Sequence, residues 1–125
     1  MQLSKLIGNT PLVKINDKIY AKLETYNPSG SIKDRMAHYI LTQARKNKTL
    51  KPGDTIVEAT SGNTGIAMSM LGAAMGHPVI IIMPRNMSEE RKSMMRVYGA
   101  KIIEVGDNAF KEYPLSLRYD WQRDY

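Results

Sequence analysis

The sequence predicts an α/β fold, a parallel sheet with helices on both faces preceded by a β-hairpin. Three observations predict it. Residues 55–59, 79–83 and 101–105 are short runs rich in Ile and Val, and the middle one has no polar residue. Strands without polar alternation are buried on both faces, which is the habit of parallel sheets. Between the runs lie stretches long enough for a helix and too long for a hairpin turn, so each link reads as a right-handed crossover.

The hairpin comes first. Residues 11–15 are mostly apolar, and 18–24 alternates Ile19, Ala21 and Leu23 with Lys18, Tyr20, Lys22 and Glu24. That is the period of two expected of a half-buried strand, with Asn16 and Asp17 as the turn. Residues 25–30 carry turn chemistry in Asn27, Pro28, Ser29 and Gly30. Ile32, Met36, Ile40 and Ala44 then recur at steps of four, with Ala37 and Leu41 beside them, and predict an amphipathic helix ending near Asn47. Pro52, Gly53 and Asp54 redirect the chain into the first sheet strand.

A small polar loop, 60–65, precedes a helix over 66–75 that is rich in Ala and Met and is stopped by Gly76, His77 and Pro78. After the strand 79–83, Ser88 reads as an N-cap with Glu89 and Glu90 in the first turn, and capping also accounts for the adjoining Arg91. The helix runs to Tyr98, with Gly99 in the C′ position. Strand 101–105 completes the alternation. Residues 106–125 break it: they hold Phe110, Tyr113, Tyr119, Trp121 and Tyr125, and Pro114 interrupts the helix that the pattern calls for.

Composition narrows the chemistry. There is no cysteine, which excludes disulfides, thiolate metal sites and a cysteine nucleophile. His38 and His77 stand apart from each other and from acids at ligand spacing, so no metal site is expected. The methionines at 68, 70, 75, 94 and 95 read as helix packing. No apolar run reaches the roughly 18 residues of a membrane span, and residues 1–10 lack the apolar stretch of a signal peptide, so a cytoplasmic location is expected. Eighteen Lys and Arg against twelve Asp and Glu give a formal charge of +6, which favours anionic partners. Acids interleave with the bases and no aromatic run accompanies them, so solvated helix faces explain the charge better than a nucleic-acid stripe.

Two constellations could perform chemistry. In residues 27–35, Ser31 and Asp34 have capping-box spacing, which places Lys33 in the first helical turn. A cation there faces the positive end of the helix dipole, a cost of up to about 1 kcal/mol. The same field disfavours the ammonium form and makes a neutral, nucleophilic amine accessible. The second is Thr60, Ser61, Gly62, Asn63, Thr64 and Gly65, between a buried strand and a helix. Free backbone N–H groups and hydroxyls at that place suit an anion, and glycines let it approach. The loop lacks the spacing of a dinucleotide fingerprint and the lysine of a P-loop. An ordinary N-capping turn has the same residues.

The segments 27–35 (NPSGSIKDR), 58–67 (EATSGNTGIA) and 83–91 (MPRNMSEER), with 98–100 (YGA) and the opening 7–13 (IGNTPLV), resemble the cysteine synthases, pyridoxal-phosphate enzymes of the β-family with the fold-type II architecture. The likeness runs from about 6 to 105, and Ala59 leans toward the B-type. It implies that Lys33 carries pyridoxal 5′-phosphate as a Schiff base and abstracts the α-proton. It implies further that Asn63 bonds the 3′ oxygen of the cofactor, and that Thr60, Ser61, Gly62 and Thr64 grip the carboxylate of an amino-acid substrate. The implied reaction is β-replacement, O-acetylserine plus sulfide or thiosulfate giving cysteine and acetate. Family members are commonly homodimers, and related lyases such as cystathionine β-synthase share the motifs.

The resemblance also sets the expected division of the chain. Residues 1–26 form a hairpin belonging to an incomplete large domain, 27–105 the small α/β domain, and 106–125 an atypical tail of the kind that a truncation or frameshift produces. The family's phosphate-binding loop and the serine facing the pyridine nitrogen have no counterpart here. A non-catalytic remnant acting as an interaction module is the alternative expectation.

Overall fold

The computed structural model describes residues 3–107. The tail expectation for 106–125 therefore lies almost wholly outside the described residues. A 3-10 turn, Leu3–Leu6, opens the chain. Strands β1 (Leu12–Lys14) and β2 (Tyr20–Lys22) then pair antiparallel, Val13 opposite Ala21. The strands are shorter than the alternation predicts because the Asn16 side chain takes the Lys18 and Ile19 N–H groups, at 2.9 and 3.0 Å, and so closes a wider loop. A second 3-10 turn, Glu24–Tyr26, leads to helix α1 (Lys33–Lys46).

The rest is β3 (Ile56–Ala59), α2 (Asn63–Met75), β4 (Val79–Pro84), α3 (Glu89–Val97) and β5 (Lys101–Val105). The three strands form a parallel sheet in the order β3-β4-β5, with Ile56 beside Val79 and Ile81 beside Ile102. The α/β class, the parallel sheet and the leading hairpin are those the sequence predicts. Sequential strands stepping one way put α2 and α3 on the same face, where they pack against each other. Val79, Ile81 and Met83 point to that face and are buried, while Ile80 and Ile82 on the opposite face are half-buried.

Helix α2 is the centre of the core. Residues 65–72 are all buried, because α2 lies against β3 and β4 on one side and α1 on another. A helix enclosed this way must be apolar all round. Its one polar side chain here, Ser69, donates to the Gly65 carbonyl at 2.7 Å. Helices α1 and α3 bury narrower stripes, Ala37 and Leu41 in one and Met95 in the other. Met68, Met70 and Met95 are core residues as expected, whereas Met94 points outward, 42% exposed. His77 is buried, its Nδ1 2.9 Å from the Asp54 carbonyl and its Nε2 without a partner among the described residues.

One boundary and two caps depart from the sequence reading. Helix α2 begins at Asn63, so Asn63, Thr64 and Gly65 form its first turn and not a loop; burial against the sheet overrides their weak helix propensity. The capping box of α1 is not made. Asp34 turns back to Ser29, the N-cap position falls on Ile32 without a side-chain cap, and Ser31 Oγ accepts only the Lys33 N–H, at 3.2 Å. Ser88 occupies the N-cap position of α3, but its side chain makes no cap bond.

Candidate active site

Lys33 is the first residue of α1, and its side chain is exposed. The turn before it is held at both ends. Asn27, 3% exposed, accepts the Gly8 N–H on Oδ1 at 2.9 Å and donates through Nδ2 to the Glu24 carbonyl and to Glu24 Oε2, at 2.9 and 2.8 Å. Glu24 in turn takes a fork from Arg35, Nε to Oε2 at 2.8 Å and Nη2 to Oε1 at 3.0 Å, and the Thr10 hydroxyl at 2.6 Å. The Arg35 guanidinium and these neutral donors hold the Glu24 carboxyl down at about 2, and Glu24 raises Arg35 in return. At the other end, the buried Asp34 carboxyl accepts the Ser29 N–H at 2.7 Å and is hydrogen-bonded to the Ser29 hydroxyl.

The amine of Lys33 has no hydrogen bond or ion pair with any described residue. It emerges from a clamped turn, and no acceptor among the described residues competes for it.

The second constellation lies at the carboxyl end of β3. Thr60 continues the ladder, its N–H donating to the Ile82 carbonyl at 3.0 Å, and its Oγ1 accepts the Gly62 N–H at 3.2 Å. Gly65 and Ile66 bond back to the Gly62 carbonyl. The N–H groups of Asn63 and Thr64 then have no acceptor among the described residues, as the geometry of a helix start requires. No acid stands in this first turn, in contrast to Asp34 in α1 and Glu89 and Glu90 in α3. Thr60 is buried, Gly62 and Thr64 half-buried, Ser61 and Asn63 exposed. Gly65 is required here, because a Cβ would stand 2.5 Å from Thr60 Cγ2 and 2.8 Å from Met95 Cε.

Residues 60–64 thus run without a break from the end of β3 into the first turn of α2. Lys33 stands on α1, the helix packed on α2, and makes no bond to them. Sequence reasoning missed three supporting groups. The Asp34–Ser29 pair was hidden because Asp34 fitted a cap; Glu24–Arg35 was hidden by the distance between them in the chain. Arg91, assigned to capping, lies beside the turn, its Cζ and Nε 3.6 Å from where a Gly62 side chain would begin.

Helix α1, which begins at Lys33, is followed by a βαβαβ unit whose first strand ends in a polar, acid-free turn, and together they define an α/β protein. Comparison with known proteins makes this specific. The family described as pyridoxal-phosphate dependent enzyme matches residues 3–120, and the chain belongs to that family. It is 49% identical to cysteine synthase B of Salmonella typhimurium over 110 residues, 82% of this chain and 36% of that one. A hydrogen sulfide-producing enzyme from Fusobacterium nucleatum superposes with a TM-score of 0.84 at 47% identity, covering 98% of this chain and 39% of that one. An O-acetylserine dependent cystathionine β-synthase from Helicobacter pylori gives 0.88 at 30% identity, covering 99% and 44%. The chain therefore spans well under half the length of the relatives it matches. Among the described residues no group of acids and histidines could hold a metal ion, and no helix is long and apolar enough to cross a membrane.

Proposed function

We propose that this chain is the lysine-bearing part of a B-type cysteine synthase, acting in cysteine biosynthesis by β-replacement on O-acetylserine with sulfide. The observation that carries the reading is the Lys33 amine, without an acceptor among the described residues, at the start of a helix whose preceding turn is clamped on both sides, in a family that depends on pyridoxal phosphate. The residues present fit that cofactor. Lys33 would hold it through its amine, and the Asn63 side chain, exposed at the start of α2, would donate to it.

When bound, pyridoxal phosphate supplies an electron sink for the substrate α-carbon. The chain's own groups do the rest. The Lys33 Nζ would be the base that takes the α-proton. The Thr60, Ser61 and Thr64 hydroxyls and the unclaimed N–H groups at the start of α2 hold the substrate carboxylate, where the helix dipole favours negative charge. The absence of an acid from that turn removes the repulsion that such a ligand would meet. A cytoplasmic homodimer is the setting we propose for it.

The test is optical. The chain mixed with excess pyridoxal phosphate should develop a visible absorbance band that Lys33→Ala lacks, and adding O-acetylserine should change the band. Equal absorbance in the two proteins would overturn the assignment of Lys33. A normal band that O-acetylserine leaves unchanged, while L-serine or another amino acid shifts it, would move the substrate elsewhere in the family.

A further inference from the structure

The turn leading into α1 is held from inside by a group that a helix start does not need. Asp34 is 0% exposed, yet no cation reaches it among the described residues; both oxygens serve Ser29 alone, one taking the backbone N–H at 2.7 Å and the other paired with the hydroxyl. A buried polar group costs stability unless its partners compensate fully. Ser31, whose Oγ already accepts the Lys33 N–H at this helix start, could serve as the cap without placing a carboxyl in the interior. The arrangement is better explained by geometry than by stability. Asn27, pinned to Gly8 and Glu24, fixes the far end of the same turn, so the backbone from Asn27 to Asp34 is anchored at both ends. Lys33 is the last residue before the second anchor. In a helix, slippage by one residue swings a side chain by about 100°, which would carry the amine right away from its direction of exit.

We propose that Asp34, acting through Ser29, is the positioning residue for the Lys33 amine. The proposal rests on the reading of Lys33 as the cofactor anchor. It holds that the clamp sets where Nζ points, while leaving the intrinsic accessibility of the amine alone.

The experiment uses the full chain and two amine reagents. Pyridoxal phosphate with borohydride reports a directed encounter; acetic anhydride, small and indifferent to direction, reports access. Label at Lys33 and at exposed Lys14 is quantified by peptide mapping, with melting curves as a control for folding. In the wild type, pyridoxal phosphate should label Lys33 well above Lys14. In folded Asp34→Asn that preference should fall by up to about a hundredfold, the cost of misplacing a reacting group by an ångström, with acetylation of Lys33 unchanged. Wild-type preference in folded Asp34→Asn overturns the positioning role and leaves the anchor assignment standing. No preference in the wild type overturns both. If Asp34→Asn does not fold, Ser29→Ala decides: it keeps the backbone bond to Asp34, should reduce the preference without altering acetylation, and overturns the proposal if the preference stays at the wild-type level or falls only together with acetylation.

Discussion

At the scale of single residues, the Glu24–Arg35 fork makes a pH signature. The Glu24 carboxyl is held at about 2, against 4.5 for a free group. A group whose folded value is depressed contributes stability above its unfolded value and loses it as pH falls through the folded one. The melting temperature should therefore drop between about 4.5 and about 2, and Glu24→Gln should flatten that part of the profile while lowering the plateau at neutral pH. An identical profile in the variant, recorded by circular dichroism, would mean the fork does not couple to folding. Gly65 is the second case. A methyl there meets Thr60 Cγ2 and Met95 Cε at 2.5 and 2.8 Å, so Gly65→Ala should destabilise by about 1–3 kcal/mol, the usual cost of overpacking, measured by urea titration. What the sequence made legible at this scale was placement set by local spacing: Lys33 at a helix start and Thr60 at the end of a strand. Glu24 with Arg35, and Arg91 beside Gly62, were not legible, because pairing across the chain leaves no periodic trace.

Among the elements, the strands and helices of the βαβαβ unit were readable because their burial patterns are extreme. The fully apolar β4 needed no partner information to be recognised, and its register follows from alternate burial of Val79, Ile81 and Met83. Ile81 is 0% exposed at the middle of the central strand, so Ile81→Ala should cost about 2–5 kcal/mol, seen as a lower denaturation midpoint with unchanged slope. The start of α2 was not readable, since Asn63, Thr64 and Gly65 are poor helix formers that tertiary packing recruits. Nor was the fixing of α3. Buried Lys92 spends its three donors on the Arg85 carbonyl at 2.8 Å and on Glu89 and Glu104, each at 2.9 Å, tying the end of β4, the first turn of α3 and β5 together. Both carboxylates raise Lys92 above its ordinary value, so the stability it provides is complete below 10.5 and is lost only as pH rises past the raised value. Lys92→Met should melt several degrees lower at neutral pH, and it should lack the loss of stability that the wild type shows in strong alkali.

For the molecule as a whole, the balance between an apolar surface and a net charge governs how copies meet. Along α1 the side chains of Ile32, Met36, Tyr39 and Ile40 are 55%, 38%, 66% and 45% exposed, and steps of four and three place them on one stripe. The sequence announced that periodicity but assigned part of it to the core; the core took only Ala37 and Leu41 from the helix. The hairpin adds Leu12, Ile15, Ile19 and Tyr20, all more than half exposed. Apolar surface of this extent drives association, while a formal charge of +6 opposes it. Salt screens the charge, with a Debye length of about 10 Å at 0.1 M and about 3 Å at 1 M, and leaves the apolar attraction intact. Light scattering at fixed protein concentration should therefore rise with sodium chloride. Ile40→Lys adds a charge and removes apolar area at an already exposed position, so it should suppress the rise without lowering the melting temperature. Scattering that falls with salt would assign association to ion pairing instead. An unchanged rise in Ile40→Lys would move the adhesive surface from the stripe to the hairpin, where Ile19→Lys would then be the variant that suppresses it.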